Sequence, residues 1–495
     1  MKDSGLKGQS KALQIFQNFG FLTMGKVLGD VFTFLLFVVL SRVFGQEGIG
    51  QYSFAIALTG FFAVFADFGL YNLSVKEMSR HTDVLGEYYG RVFSLRLILS
   101  VTVLLVLLFV LLFLPFPRET RLIITLIGAF QVIYTLVDGL AAVFVAREDM
   151  HLAGLLEFSL RMVTALAGIA VVMAGASLVM ALAMFPAVTC VYVLVAYGIV
   201  ARKYGSPRLA MSWSYLTRTL REAMPYALEF LLYQLSARVD VVSLGFFLGT
   251  ATAGVYNVAY RVVFFFMILA NFTGLAVFPL ASRLYVTSRK ELETLYHKSL
   301  NLIILVALPA ASGIWLVAPD LIKLIFGEAF AESAMVLRYL AWLIFLAFLR
   351  SLIGTFLTAC DRQVERTKSQ WVVTCVAILA NVFLIPTIGI KGAAIATLIS
   401  ETLLVILFAV RLRRVLGWPQ IGSRLAMSGV ATVSFCLPLA FFSSLPLVVV
   451  ILAAIPLYVG TLLLFKDIRR NEAHETIGLL KSKFESTRFT GQEVS

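Results

Sequence analysis

Charged residues are scarce in this chain: they make up 14% of its 495 residues, whereas hydrophobic residues make up 60%. Soluble proteins carry about a quarter charged residues, so this composition excludes a soluble multidomain protein of this length. Cysteine and histidine are equally rare, with four of each. The cysteines have no paired spacing and the histidines form no ligand cluster, so neither a disulfide framework nor a metal site is predicted.

What the chain does contain is about fourteen runs of 18 or more mostly apolar residues. Such runs cross a bilayer as helices, which satisfy their backbone groups internally. The predicted spans are 14–40, 51–73, 92–114, 121–145, 153–174, 177–200, 222–248, 255–282, 299–318, 335–358, 368–386, 390–411, 425–442 and 446–465. The sequence therefore predicts an all-α polytopic membrane protein with about 14 transmembrane helices.

Basic residues lie almost entirely in every second gap between these runs. When residues at the span ends are counted with the adjacent gap, those gaps and the two tails hold 29 of the 41 Lys and Arg, whereas the alternate gaps hold five. Because Lys/Arg-rich loops remain in the cytoplasm, we expect both termini to be cytoplasmic and the protein to lie in the cytoplasmic (plasma) membrane. This topology also accounts for the net charge of +13, so no nucleic-acid partner is expected.

A short glycine motif follows the first predicted span and occurs again after the seventh. The two G-x4-G-x-Y copies are displaced by 204 residues: Gly45, Gly50, Tyr52 and Gly249, Gly254, Tyr256. Six spans separate equivalent points, so the copies would have the same orientation, as in a parallel repeat. We expect these glycines to permit positive φ and close helix approach. The alternative is that they are ordinary turn glycines.

The repeat predicts a division of six plus six plus two spans. An N-terminal lobe covers 1–200, a cytoplasmic linker 201–221 and a C-terminal lobe 222–411. Two extra spans cover 412–465, and a cytoplasmic tail follows at 466–495. Charges inside the spans are confined to the two six-helix lobes, as expected if these lobes enclose a polar central cavity.

Charged residues within the spans require an explanation, because each adds about 2.5–3.5 kcal/mol to the free energy of membrane insertion when it lies at a helix centre. Two pairs have i,i+4 spacing and could be structural ion pairs: Lys26/Asp30 and Glu157/Arg161. Asp67 and Asp138 lie near the cytoplasmic ends of their spans, where capping or snorkelling would account for them.

Two arginines in the second half are the strongest candidates for substrate binding. Arg238 lies near the middle of the seventh span and Arg261 in the outer part of the eighth. The guanidinium group stays charged and its fork of donors suits phosphate oxygens. The alternative for Arg238 is an ion pair with Asp240 or Glu229.

The residues 40–52, with the sequence LSRVFGQEGIGQY, are followed by Asp67-Phe68-Gly69-Leu70. This stretch resembles the small-Arg-x-x-Gly turn and the D-x-G-L helix ending of O-antigen-type (Wzx-like) polysaccharide flippases. These flippases belong to the multidrug/oligosaccharidyl-lipid/polysaccharide (MOP) exporter superfamily. The segments 326–334 and 389–397 are similar to the same family, so the resemblance reaches from the first span to the twelfth.

The resemblance implies two lobes in a V around a cationic cavity, and a transporter rather than an enzyme. Such flippases move polyprenyl-pyrophosphate-linked oligosaccharides across the cytoplasmic membrane by alternating access, for cell-surface polysaccharide biosynthesis with other assembly proteins. It implies that Lys26, Arg238 and Arg261 bind the pyrophosphate. The acidic residues would take part in ion pairs or in coupling to H+ or Na+: Asp30, Asp67, Asp138, Glu229 and Asp240. No catalytic residue, cofactor or metal is implied.

Two other functions are compatible with a polytopic membrane protein. A cation-coupled multidrug exporter of the same superfamily would be expected to have a more acidic cavity and no extra pair of spans. A membrane glycan polymerase or ligase would be expected to have a large external loop with catalytic side chains. The longest external gap, 319–334, is too short for such a loop.

Overall fold

The computed structural model describes residues 3–80, 85–205, 213–418, 422–441 and 447–464. Fourteen α-helices and one 3-10 turn (Glu328–Phe330) form this part of the chain, which contains no β-strand. The helices are α1 (Asp3–Asp67), α2 (Leu70–Arg80), α3 (Leu85–Phe113), α4 (Arg118–Ala146), α5 (Met150–Met173), α6 (Leu178–Tyr204), α7 (Trp213–Phe247), α8 (Thr250–Thr287), α9 (Arg289–Phe326), α10 (Ala331–Ala359), α11 (Gln363–Ile388), α12 (Ile390–Leu416), α13 (Gly422–Phe441) and α14 (Leu447–Leu464). The all-α prediction is confirmed for the described residues.

Eleven stretches of the described chain are long and apolar enough to cross a membrane. The first, Thr23–Arg80, is 58 residues long and contains the second predicted span and the first one from residue 23 onward. In the region of the last two predicted spans, α13 and α14 are helical but fall outside these eleven stretches, and Ser428–Leu439 is a shorter apolar helix. The protein is therefore a multi-pass membrane protein, while the total of about 14 spans stays a prediction.

The glycine motifs form the sharp bends that the sequence predicts. Gly45 has φ +65° and divides α1 into two arms, 3–44 and 46–67, and Gly249 has φ +90° between α7 and α8. A Cβ on Gly50 would lie 2.0 Å from the Thr250 carbonyl oxygen, and a Cβ on Gly254 would lie 2.9 Å from the Gly50 Cα. The two motif copies therefore pack directly against each other, and only glycine permits this approach.

The chain forms two compact units. Unit 1 comprises residues 1–261, 322–336 and 367–400. It contains the two glycine motifs and a large apolar core, whose most buried members include Leu140, Val143, Phe144 and Leu160.

Unit 2 comprises residues 262–321, 337–366 and 401–495. Within it, the Tyr458 hydroxyl of α14 donates to the Leu305 carbonyl of α9 at 2.5 Å. Arg350 of α10 pairs with Glu401 of α12, with Nε and Oε2 2.9 Å apart. This contact satisfies two of the charges that the sequence places inside spans.

The lobe boundaries and their division into six plus six plus two spans stay predictions. Helix α6 continues to Tyr204 and α7 begins at Trp213, so both helices extend into the predicted linker 201–221. Residues 206–212 of the linker and the predicted tail 466–495 lie outside the described residues.

Asp149 joins the loop between α4 and α5 to the end of α6. Its carboxylate accepts hydrogen bonds from the Tyr204 hydroxyl and from Lys203 Nζ, the latter at 2.9 Å. Burial acts to raise the pKa of Asp149, but these two hydrogen bonds and the charges of Lys203 and His151 together outweigh it and hold the pKa below its ordinary value.

Candidate substrate-binding site

Helices α1 and α5 of unit 1 approach closely at two glycines. A Cβ on Gly25 would lie 2.4 Å from the Gly154 carbonyl oxygen, and a Cβ on Gly29 would lie 2.6 Å from the Arg161 side chain. This close crossing brings charged side chains on neighbouring turns of the two helices together. The crossing therefore places Asp30 of α1 beside Arg161 of α5.

Arg161 forms the centre of an ion-pair network between the two helices. Its Nη2 lies 2.6 Å from Glu157 Oε1, and its Nη1 pairs with Asp30. The Tyr134 hydroxyl of α4 also donates to Glu157, at 2.7 Å. The Glu157/Arg161 pair that the sequence indicates is thus confirmed, and Asp30 belongs to the same network.

Lys26 does not form the i,i+4 pair with Asp30 that the sequence allows. Its side chain is exposed on α1, and no carboxylate among the described residues lies within salt-bridge distance of it. Asp138 is close enough to Lys26 for an electrostatic interaction. The charge of Lys26 therefore stays available on the surface of unit 1.

Arg238 and Arg261 lie in one region of unit 1, where each is close enough to affect the other electrostatically. The Arg261 guanidinium lies over the Phe37 ring, with Cζ 5.4 Å from its centroid. Arg238 is half-buried and forms no salt bridge with a described residue. The predicted alternative of a pair with Asp240 or Glu229 is therefore not formed.

Asp240 is held by a different set of groups. Its side chain is buried, Oδ2 accepts from the Tyr256 hydroxyl at 2.7 Å, and Oδ1 accepts from the Val241 N–H at 2.7 Å. The Tyr256 oxygen also lies 3.1 Å from Thr397 Oγ1 of α12. Glu229 lies two to three turns earlier on α7 with an exposed side chain.

Asp67 pairs with Arg96, a residue that was not among the candidates predicted from the sequence. Arg96 of α3 is 1% exposed and its Nη2 lies 2.7 Å from Asp67 Oδ1. Its Nη1 donates to the Thr135 carbonyl oxygen at 2.6 Å, while Asp67 Oδ2 accepts from the Gly69 N–H at 3.1 Å. The sequence offered one signal for Arg96, namely a basic residue inside the predicted third span.

These contacts separate two kinds of charge in unit 1. Arg96 and Arg161 are neutralised by carboxylates, so they hold helices together. Arg238 and Lys26 instead provide positive charge that no salt bridge among the described residues cancels, and Arg261 lies in the same region as Arg238. Guanidinium and ammonium groups carry only donors, so this region suits an anion with several acceptor oxygens. No group of three metal-ligating side chains occurs in the described residues.

Two family models match the chain. The model of the family described as polysaccharide biosynthesis protein matches residues 15–285, and that of the MatE family matches residues 225–410. The probable low-salt glycan biosynthesis flippase Agl15 of Haloferax volcanii is 25% identical over 399 residues, which are 78% of this chain and 81% of that protein. The capsular polysaccharide biosynthesis protein CapF of Staphylococcus aureus is 21% identical over 392 residues, 78% of this chain and 96% of CapF.

Solved structures show the same fold at lower sequence identity. The lipid II flippase MurJ in an inward closed conformation has a TM-score of 0.75 and 13% identity, covering 91% of this chain and 99% of MurJ. A MOP superfamily transporter from Pyrococcus furiosus has a TM-score of 0.55 and 16% identity, covering 80% of this chain and 95% of that transporter. The chain therefore shares its helical fold with transport proteins.

Proposed function

Because the chain belongs to the polysaccharide biosynthesis protein family, we propose that it is a flippase for a polyprenyl-pyrophosphate-linked oligosaccharide. It carries this lipid across the cytoplasmic membrane by alternating access, as a transporter and not an enzyme. The product serves cell-surface polysaccharide biosynthesis together with other assembly proteins. The similarity to Agl15, a probable glycan biosynthesis flippase, supports this proposal.

The observation that carries the proposal is the positive charge of Arg238 on α7, which no salt bridge among the described residues neutralises. Arg238 is half-buried in a membrane-spanning helix, where an uncompensated charge is costly. A pyrophosphate compensates it, because its oxygens accept several guanidinium hydrogen bonds at once. Arg238 and Arg261 bind the pyrophosphate, and Lys26 adds a third positive charge from α1.

The acidic residues divide between holding the fold and coupling transport to an ion. Asp30 and Asp67 pair with arginines, so we assign them a structural role. Asp138, Glu229 and Asp240 form no salt bridge with a described arginine or lysine. We assign coupling to H+ or Na+ to these three carboxylates.

Both termini and the basic gaps face the cytoplasm in this proposal. The two six-helix lobes enclose a central cavity that opens to one side of the membrane at a time. Membrane lipids surround the lobes and the extra helices α13 and α14.

The proposal is tested with purified protein in liposomes and a fluorescent, short-chain polyprenyl pyrophosphate oligosaccharide. We expect the wild type to move the probe between leaflets and Arg238→Ala to reduce the rate at least tenfold. Arg338→Ala is the matched control, since it removes an exposed arginine that lies over the Trp315 ring in unit 2. Wild-type activity in Arg238→Ala would remove this arginine from the mechanism, and failure of the wild type to move any such lipid would refute the function.

A second function, export of organic cations, is favoured by the match of the MatE model to residues 225–410. Expression of the protein in a drug-sensitive host distinguishes the two functions. Resistance to organic cations that depends on Asp240, with no movement of the lipid probe, would support export and contradict the flippase.

A further inference from the structure

Tyr52 is a buried tyrosine whose hydroxyl has no hydrogen-bond partner among the residues that the structure describes. Its side chain is 4% exposed, and its ring packs against Phe37 and Phe185 with centroids 6.3 and 5.9 Å away. The hydroxyl oxygen is not among the fully enclosed polar atoms that lack a partner in the described residues, so it stays open to a ligand although the ring is buried.

The second copy of the glycine motif shows what the first copy lacks. Tyr256 occupies the position equivalent to Tyr52, and its hydroxyl is satisfied by Asp240 at 2.7 Å. The residue equivalent to Asp240, 204 positions earlier, is Leu36, which is buried and apolar. The first copy thus retains the tyrosine but replaces the acceptor that holds its counterpart.

The surroundings of the Tyr52 hydroxyl are positively charged. Arg238 and Arg261 both lie close enough to interact with it electrostatically. Neither guanidinium group can accept a hydrogen bond from the hydroxyl, because arginine carries only donors. Three groups that can donate, from α1, α7 and α8, therefore lie in one region, and no described residue accepts a hydrogen bond from the Tyr52 hydroxyl.

We propose that the Tyr52 hydroxyl is a further phosphate-binding group, which donates a hydrogen bond to the pyrophosphate held by Arg238 and Arg261. This inference rests on the proposed function and adds a second residue from the first half of the chain, after Lys26, to a site whose two arginines come from the second half. The tyrosine fixes the orientation of the phosphate, because a hydroxyl on a packed ring has a defined direction whereas long arginine side chains adapt.

The test is Tyr52→Phe in the full-length protein, which removes the hydroxyl and keeps the ring packing. We expect the concentration of short-chain polyprenyl pyrophosphate oligosaccharide at half-maximal transport to rise about tenfold, as for the loss of one hydrogen bond to a charged group. The maximal rate and the melting temperature in detergent should stay near the wild-type values. Tyr89→Phe is the matched control, because it likewise removes a hydroxyl that makes no hydrogen bond in the described residues, here one that is enclosed in a different core.

The outcomes separate this inference from the function on which it rests. Half-maximal transport within twofold of the wild type for Tyr52→Phe, with Arg238→Ala impaired, overturns the role of Tyr52 and leaves the flippase proposal intact. A fall in melting temperature that parallels the loss of transport also overturns it, since it indicates a packing role. Unchanged transport in both variants contradicts the phosphate site as a whole.

Discussion

Substitution of Asp67 is expected to destabilise the protein more than substitution of Arg96, its partner in a buried ion pair. Asp67→Asn leaves a guanidinium group that is 1% exposed, with the Thr135 carbonyl as its remaining strong acceptor. Removing one partner of a buried ion pair costs about 3–5 kcal/mol, because the other charge stays buried without compensation. We expect Asp67→Asn to fall in this range.

Arg96→Met is expected to cost less, about 1–3 kcal/mol. The Asp67 side chain is 15% exposed and keeps the hydrogen bond from the Gly69 N–H, so its charge is better solvated than that of Arg96. The double variant removes both charges together. It should therefore be more stable than the sum of the two single effects predicts, with a coupling energy of about 1–3 kcal/mol.

The assay is a double-mutant cycle on detergent-solubilised protein, with unfolding followed by circular dichroism at increasing SDS concentration. Arg338→Met serves as the control, because it removes an exposed arginine that has only an aromatic neighbour, and it should change stability by less than about 1 kcal/mol. Additive single effects, or an Arg96→Met variant as stable as the wild type, would refute this account of the pair.

Three further predictions concern contacts outside the charged site. Gly50→Ala should destabilise the protein by about 1–3 kcal/mol in the same SDS titration, because its Cβ would lie 2.0 Å from a backbone oxygen. The control is Gly198→Ala, whose Cβ would have nothing within 4 Å and which should be neutral or stabilising. Arg42 donates hydrogen bonds to the Leu324 and Ile325 carbonyls at the end of α9. Arg42→Ala should therefore lower the free energy of unfolding by about 1 kcal/mol and speed amide hydrogen exchange at the end of α9. Unchanged exchange there would contradict this prediction. Asp149→Asn should reduce the free energy of unfolding at pH 7 by less than about 1 kcal/mol, which is measured as a lower melting temperature. The lowered pKa of Asp149 means that its contribution is complete above its ordinary value of about 3.9 and disappears as the pH falls through its folded value, so the difference from wild type should vanish in acid.

Much of the local structure could be predicted from the sequence. The bends at Gly45 and Gly249 and the close approach at Gly50 and Gly254 agree with the first of the two interpretations of the glycine motif, because glycine adopts positive φ and has no Cβ at a close helix contact. The family resemblance drawn from the same stretch is confirmed by the family model that matches residues 15–285. The binding roles of Lys26, Arg238 and Arg261 stay predictions.

The sequence by itself determined that this chain is helical and crosses a membrane. In lipid the backbone N–H and C=O groups of a long apolar run must be hydrogen-bonded within the run, and a helix achieves this. It also indicated the pair Glu157/Arg161, since i,i+4 spacing places two side chains on one face of one helix, although the same spacing at Lys26/Asp30 forms no pair. The tertiary structure alone decided that Asp30 pairs with Arg161 and not with Lys26, and that Asp67 pairs with Arg96. It also decided that Tyr256 donates to Asp240, whereas Tyr52 has no acceptor among the residues that the structure describes. The physical reason is that partners on different helices depend on how those helices cross and rotate, which no spacing within one helix specifies.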